Sequence, residues 1–236
     1  MNAPRPALAI IPSAITATSL LLGFAGIVAA AEGHWHLTAW AVVWCVLLDI
    51  ADGTLARRLG AGTAVGAQLD SLADLVAFGV APAMLVYRVS LDGAPTLIHT
   101  VAVAGGCAAL LLAAAYRLAR FNAASAGAAF TGLPAPIGAL ILASTALVVN
   151  DTLSSPQWNA ALPVLAIGIA GLMVSRVSFA RLDGAGRSWR RRVLQICLFA
   201  VVASALSMRF PGIVLACALV YLVIAGGPPR PATGQH

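Results

Sequence analysis

Four aspartates, Asp49, Asp52, Asp70 and Asp74, are the residues of this chain whose type and spacing best suit chemistry. They are half of its eight acids, the others being Glu32, Asp92, Asp151 and Asp183, and all four lie in or beside apolar stretches. On a helix, offsets of three, four and seven residues return to one face. Asp49, Asp52, Gly53 and Ala56 therefore share a side of one helix, and Gly66, Asp70 and Asp74 share a side of the next, after a turn containing Gly60 and Gly62. Two adjacent antiparallel helices would aim four carboxylates at one small volume. Like charges in a low-dielectric site need a positive partner. Arg57 is one, but a single guanidinium does not balance four acids. Oxygen ligands without nearby His or Cys suit hard cations such as Mg²⁺, Mn²⁺ or Ca²⁺. Two such ions would neutralise the cluster, and two-metal sites favour displacement at phosphorus. The small neighbours Gly53, Ala56 and Gly66 would let a nucleotide or phosphate approach the helix backbone. Acids inside a membrane are costly and default to function, yet this spacing alone does not separate an enzyme from a divalent-cation transporter.

The elements that must position these residues follow from composition. The chain has 236 residues, 61% hydrophobic and 9% charged, with a mean hydropathy of +0.94, against about 25% charged residues in soluble proteins. A spanning helix takes about 20 apolar residues, so the fold class expected is all-α, a polytopic transmembrane bundle of about eight spans. These fall near 11–31, 36–56, 65–88, 97–117, 134–150, 160–178, 192–209 and 211–226, with a very tight turn at Arg209, Pro211 and Gly212. Residues 1–226 form a single transmembrane domain in this reading, and 227–236 a short polar tail. The segment from Met1 leads into a retained first span rather than a cleaved signal peptide.

All 14 basic residues are Arg, which excludes a catalytic lysine, a Schiff base and a P-loop. Cytoplasmic loops collect Arg. With the N-terminus inside, 12 of the 14 fall on the inner side and only Arg88 and Arg209 outside. This places the N-terminus and the acidic cluster at the cytoplasmic face of the inner membrane. Arg187, Arg190, Arg191 and Arg192 suit anionic lipid headgroups. The net charge of +6 comes from membrane-flanking Arg, so nucleic acid is not a partner. Glu32, His34, Trp35 and His36 fall in an outer loop, with Trp35 and Trp40 expected as interfacial anchors. Cys45, Cys107, Cys197 and Cys217 stand alone in apolar runs, as buried thiols outside any disulfide or zinc pattern. Gly62 with Gly66, and Ala73 with Ala77 and Ala81, supply small residues at spacing four for close helix packing.

The spacing Asp49-x₂-Asp52-Gly53-x₂-Ala56-Arg57-x₈-Gly66-x₃-Asp70-x₃-Asp74, eight fixed residues over 26 positions, resembles the signature of the CDP-alcohol phosphatidyltransferases. The resemblance implies a membrane enzyme that takes a CDP-linked donor and two divalent ions, Mg²⁺ or Mn²⁺, joins the donor phosphoryl group to an alcohol and releases CMP. Leu69-Asp70-Ser71-Leu72-Ala73-Asp74, Phe78-Gly79-Val80-Ala81-Pro82-Ala83, Tyr116-Arg117-Leu118-Ala119-Arg120-Phe121-Asn122 and Thr131-Gly132-Leu133-Pro134-Ala135-Pro136 are similar to the phosphatidylserine synthases of that family. The eight-span count resembles that branch too, whereas many relatives have six.

Carried onto these positions, the resemblance makes Asp49, Asp52, Asp70 and Asp74 metal ligands and Asp74 also the base for the acceptor hydroxyl. Asp52, Gly53, Ala56, Arg57 and Gly66 would bind the CDP donor. Arg117, Arg120 and Asn122 are candidates for serine or phosphate, since guanidinium groups suit bidentate capture of carboxylates and phosphates. The implied partners are CDP-diacylglycerol, L-serine, membrane lipids and a second copy of the chain in a homodimer. Glycerol 3-phosphate or inositol phosphate is the alternative acceptor. The resemblance fades after about residue 140, and Ser13 and Ser19 stand where the family would have Asn.

Overall fold

The computed structural model describes residues 6–60, 63–91, 96–123, 132–153, 161–177 and 188–225, and every regular element among them is helical. The elements are α1 (Pro6–Ala31), α2 (Trp35–Leu59), α3 (Ala64–Leu75), α4 (Ala81–Ser90), α5 (Leu97–Ala123), α6 (Ala135–Val148), α7 (Ala161–Val174), α8 (Ser188–Ser207) and α9 (Pro211–Ala225). A π-helical turn, Val76–Val80, carries α3 into α4 without a break, and another, Val149–Leu153, ends α6. Each of the eight apolar segments of the sequence thus becomes one helical rod. Four rods, Ile10–Ala31, Trp35–Leu59, Ala64–Ser90 and Leu97–Ala123, are long and apolar enough to cross a membrane, and the other four are apolar but shorter. The protein is an integral membrane protein.

Lipid removes most of the hydrophobic drive between helices, so close approach through small side chains takes over. α1 illustrates it: Pro12, Thr16, Ser19, Gly23, Gly26 and Ala30 are buried at alternating steps of four and three, a single helical face. A Cβ on Gly23 would come 3.2 Å from the Ala77 Cα, and one on Gly26 would come 3.2 Å from the Ala41 Cβ. Large apolar side chains such as Leu21 and Phe24 point outward from the same helix. The expected row Ala73, Ala77 and Ala81 is buried within the chain, with Ala77 against α1. Gly62 lies outside the described residues.

The centre of the bundle is α6, on which Ala135 and most positions from Gly138 to Leu147 are buried. It packs on α2, α4, α7 and α9. Trp40, expected at the interface, is instead part of the core, 6% exposed, because it lies five residues inside α2. Trp35 is half-buried against the core and stacked on His36, whose Nε2 lies 3.3 Å from Asp151 Oδ1. α5 continues through Ala123, beyond the expected end near residue 117, because Leu118, Ala119 and Arg120 are strong helix formers. The tight turn between α8 and α9 is present: Met208 and Phe210 take positive φ, and buried Ser204 donates its hydroxyl to the carbonyls of Arg209 and Phe210.

Candidate active site

Local signals at the α2–α3 turn bring the acidic segments together. Gly60 closes α2 in the left-handed region, φ 58°, with its N–H on the Ala56 carbonyl. Thr63, extended, caps α3 by accepting a 2.9 Å hydrogen bond from the Gly66 N–H, which satisfies one of the helix's free donors. The chain turns here from α2 into α3, and both helices pack against α1.

Oxygens of Asp49, Asp70 and Asp74 all lie within 4.8 Å of one another. Asp52 does not join that group. It turns toward α1, where Thr16 Oγ1 donates a 2.8 Å hydrogen bond to its Oδ2, and it is 5% exposed. Four carboxylates were expected in one volume; three converge and the fourth is held beside them, because three residues on a helix fall about 60° short of a full turn.

Two cavities meet at the cluster. One of about 200 Å³, polar by the carboxylates and hydroxyls in its wall although apolar atoms make most of its surface, is lined by Asp52, Gly53, Ala56, Thr63, Gly66, Ala67 and Asp70, with Pro12, Ser13 and Thr16 of α1. A larger groove of about 590 Å³ is mostly apolar, with Leu47, Ile50, Ile137, Leu140, Leu194 and Val201 in its wall, and it reaches Asp49, Thr54 and Tyr221. Asp70 borders the first and Asp49 the second. The α2 helix is the partition: Asp52, Gly53 and Ala56 line one side, and Val46, Leu47 and Ile50 the other.

Among the described residues no arginine is within ion-pairing distance of these four acids. Arg117 of α5 is half-buried and interacts electrostatically with Asp74, Asp49 and Tyr221, and its Nε is buried without a hydrogen-bond partner. Arg57 is exposed and touches Thr54 Oγ1 at 3.4 Å. A three-carboxylate, oxygen-only cluster with no paired cation has the donor set and the uncompensated charge of a hard-cation site.

The other sequence candidates take structural contacts. Arg120 donates to the Val174 carbonyl at 3.3 Å and lies over the Tyr116 ring, tying α5 to the end of α7. Asn122 Nδ2 donates to Ser71 Oγ at 2.9 Å, tying α5 to α3. Gly132 needs its φ of +85°, and a Cβ there would overlap the Met173 carbonyl oxygen. Its N–H bonds the Val177 carbonyl at 2.8 Å, and the Leu133 N–H bonds that of Leu172 at 3.0 Å, so this motif docks the start of α6 on α7. Thr131, Arg187 and the tail lie outside the described residues, as do the side chains of Arg190 and Arg191, while Arg192 is exposed.

Sequence reasoning missed Thr16 and Tyr221. The alternation of buried small and polar residues along α1 was a usable signal for Thr16. Tyr221 had none, since a tyrosine near the end of an apolar helix is ordinary in a membrane protein.

Comparison with known proteins agrees with this geometry. A model of the CDP-alcohol phosphatidyltransferase family matches residues 9–175, which takes in α1 to α7. The archaetidylserine synthase of Methanothermobacter thermautotrophicus is 30% identical over 181 residues, 75% of this chain and 72% of the relative. The CDP-diacylglycerol–serine O-phosphatidyltransferase of Mycobacterium leprae is 30% identical over 208 residues, 84% of this chain and 67% of the relative. That of Bacillus subtilis is 33% identical over 173 residues, 72% of this chain and 89% of the relative. With its acidic signature and its helical bundle both in place, the chain belongs to the CDP-alcohol phosphatidyltransferase family.

Proposed function

We propose that this transferase of phospholipid synthesis moves the phosphatidyl group of CDP-diacylglycerol to the hydroxyl of L-serine, giving phosphatidylserine and CMP. The observation that carries the reading is a carboxylate cluster at the junction of a polar cavity and an apolar groove. A CDP-lipid has the same division, with a charged nucleotide diphosphate at one end and acyl tails at the other. The relatives' names share serine as acceptor and differ in the lipid they name, so they support the acceptor more strongly than the donor's tails.

In this reading Asp49, Asp70 and Asp74, with Asp52 beside them, hold the divalent ions, Mg²⁺ or Mn²⁺, two per site. Divalent ions held by these carboxylates would supply positive charge against the diphosphate and the leaving phosphate. Thr16 keeps Asp52 oriented by its hydrogen bond. Gly53, Ala56 and Gly66 leave room for the donor's nucleotide and diphosphate, with Arg57 at the rim. Arg117, with donors left over, binds the serine carboxylate or a donor phosphate; Arg120 and Asn122 support it by fixing the end of α5. Asp74 takes the proton of the serine hydroxyl as its oxygen attacks the lipid-linked phosphorus and the bond to CMP breaks. The apolar groove takes acyl chain. Arg asymmetry supports a site facing the cytoplasm, where serine is dissolved, and family resemblance supports a homodimer.

The test is an acceptor screen. Purified protein is given CDP-diacylglycerol with Mn²⁺ or Mg²⁺ and, in turn, L-serine, glycerol 3-phosphate and inositol phosphate, and the lipid product is identified by mass. Phosphatidylserine with CMP release, abolished by chelator, is expected. Another lipid product would overturn the acceptor and leave the family membership standing.

A further inference from the structure

The apolar groove carries a few polar groups in its wall. Thiols apart, they are Asp49 and Thr54 from α2, Gln195 from α8 and Tyr221 from α9. Asp49 belongs to the acid cluster, and Thr54 Oγ1 is engaged by Arg57 at 3.4 Å. Gln195 and Tyr221 are left, and among the described residues neither side chain makes a hydrogen bond. Tyr221 is half-buried with its ring packed on the core, and Gln195 stands at the exposed edge of the groove. The two share a level. Counted from the turn at Met208 and Phe210, Gln195 is thirteen residues back along α8 and Tyr221 eleven residues on along α9, whereas Val201 and Ala218 of the same wall are seven and eight away. At 1.5 Å per residue the polar pair stands about 5–9 Å farther from the turn than the apolar pair. Rods joined in sequence alternate in direction through the bundle, which brings the start of α8 and the end of α9 to the end where α2 finishes. The groove therefore passes from acids, through two hydrogen-bond donors, into hydrocarbon.

We infer that Gln195 and Tyr221 bind the ester carbonyl of the donor's acyl chain and so select ester-linked over ether-linked CDP-lipids. An acyl chain meets the glycerol through an ester, whose carbonyl oxygen lies between the diphosphate and the hydrocarbon. A chain entering the groove from the acid cluster brings that oxygen past the Tyr221 hydroxyl and the Gln195 amide, both of which donate. An ether-linked chain has no carbonyl, so it leaves these donors facing hydrocarbon, and a site built to hydrogen-bond a group discriminates against the analogue that lacks it. Both residues lie past residue 175, where the family match ends. Recognition of the lipid linkage thus falls to helices outside the matched segment, while the acids that face the diphosphate lie within it. The inference rests on the groove holding the donor's acyl chain.

The experiment uses full-length protein and two donors of equal chain length and the same stereochemistry, CDP-diacylglycerol and its dialkyl ether analogue. CMP release is measured against donor concentration with whichever acceptor the screen identifies, so failure of the serine assignment does not touch it. The quantity read is the ratio of kcat/KM for ester over ether within each protein, which a loss of folded enzyme does not move. A ratio of about tenfold is expected for the unaltered chain. Tyr221→Phe and Gln195→Met, which keep the shape of each side chain and remove its donor, should each lower the ratio about threefold, and the double variant should bring it near one. Either single variant suffices if the other does not fold. No preference or an ether preference in the unaltered chain, or a ratio that both variants leave unchanged, overturns the inference. If Ile137→Trp still penalises long-chain donors alone, the groove's role in holding the chain survives that result; if it does not, both readings fall.

Discussion

The two cavities on either side of α2 differ in what builds them. The polar one is made by the helix ends of a single hairpin plus α1, from residues within 12–70, and its lining is small or oxygen-bearing. The apolar groove is assembled from α2, α6, α8 and α9, from residues as far apart as Val46 and Tyr221. Chemistry that needs fixed oxygens sits on short local geometry, where a cap and a glycine turn define position. Accommodation of chain needs only apolar surface and volume, which distant helices supply together. The contrast also separates what family membership covers from what it leaves free: the match ends at residue 175, before α8 and α9 begin, so part of the groove wall lies beyond it.

The sharpest break in this contrast is at the cluster itself. Asp74→Asn should lower turnover about 10³-fold, the size expected for removing a general base, with helical circular dichroism unchanged; full turnover would remove Asp74 from that role. Next is the polar cavity. A Cβ at Gly66 would come 2.9 Å from the Thr63 Oγ1 that caps α3, so Gly66→Val should reduce kcat/KM about 10²-fold through misplacement of the donor. The reduction should be equal for short- and long-chain donors.

The groove should respond in the opposite way. Ile137→Trp fills it, and losing burial of two methylenes costs about 1.5 kcal/mol, roughly tenfold in KM. The rise should appear with long-chain CDP-diacylglycerol and vanish with a short-chain analogue; an equal effect on both would merge the two cavities into one function. The smallest effect lies at the other end of α2. His36 and Asp151 are 53% and 46% exposed, so His36→Ala should change thermal stability by about 0.5 kcal/mol or less and leave turnover alone, as a solvated pair far from the cluster should.

Much of the site was legible because its determinants are periodic and near in sequence. Asp70 and Asp74 are four apart on one helix, Asp49 lies near the end of the preceding one, and the turn between them announces itself with glycines. Arg117 was legible only as one of three candidates in one motif. Helical phase alone does not distinguish it from Arg120, three residues on, and the packing of α7 against α5 decides which guanidinium is consumed by a carbonyl. Trp40 was misassigned for a related reason: a tryptophan near a helix end suits an interface, and burial depends on which neighbour covers it.

The sequence by itself determined that this is a helical membrane protein, where its apolar helices lie, and which acids and small residues meet at the α2–α3 hairpin. Those properties follow from hydropathy and from the fixed period of the α-helix, which act within a segment. Only the tertiary structure decided that Asp52 leans on Thr16, that Arg117 is the half-buried arginine beside the acids, and that Tyr221 reaches the groove. Each of these depends on the relative rotation of helices distant in sequence, set by side-chain packing across the whole bundle.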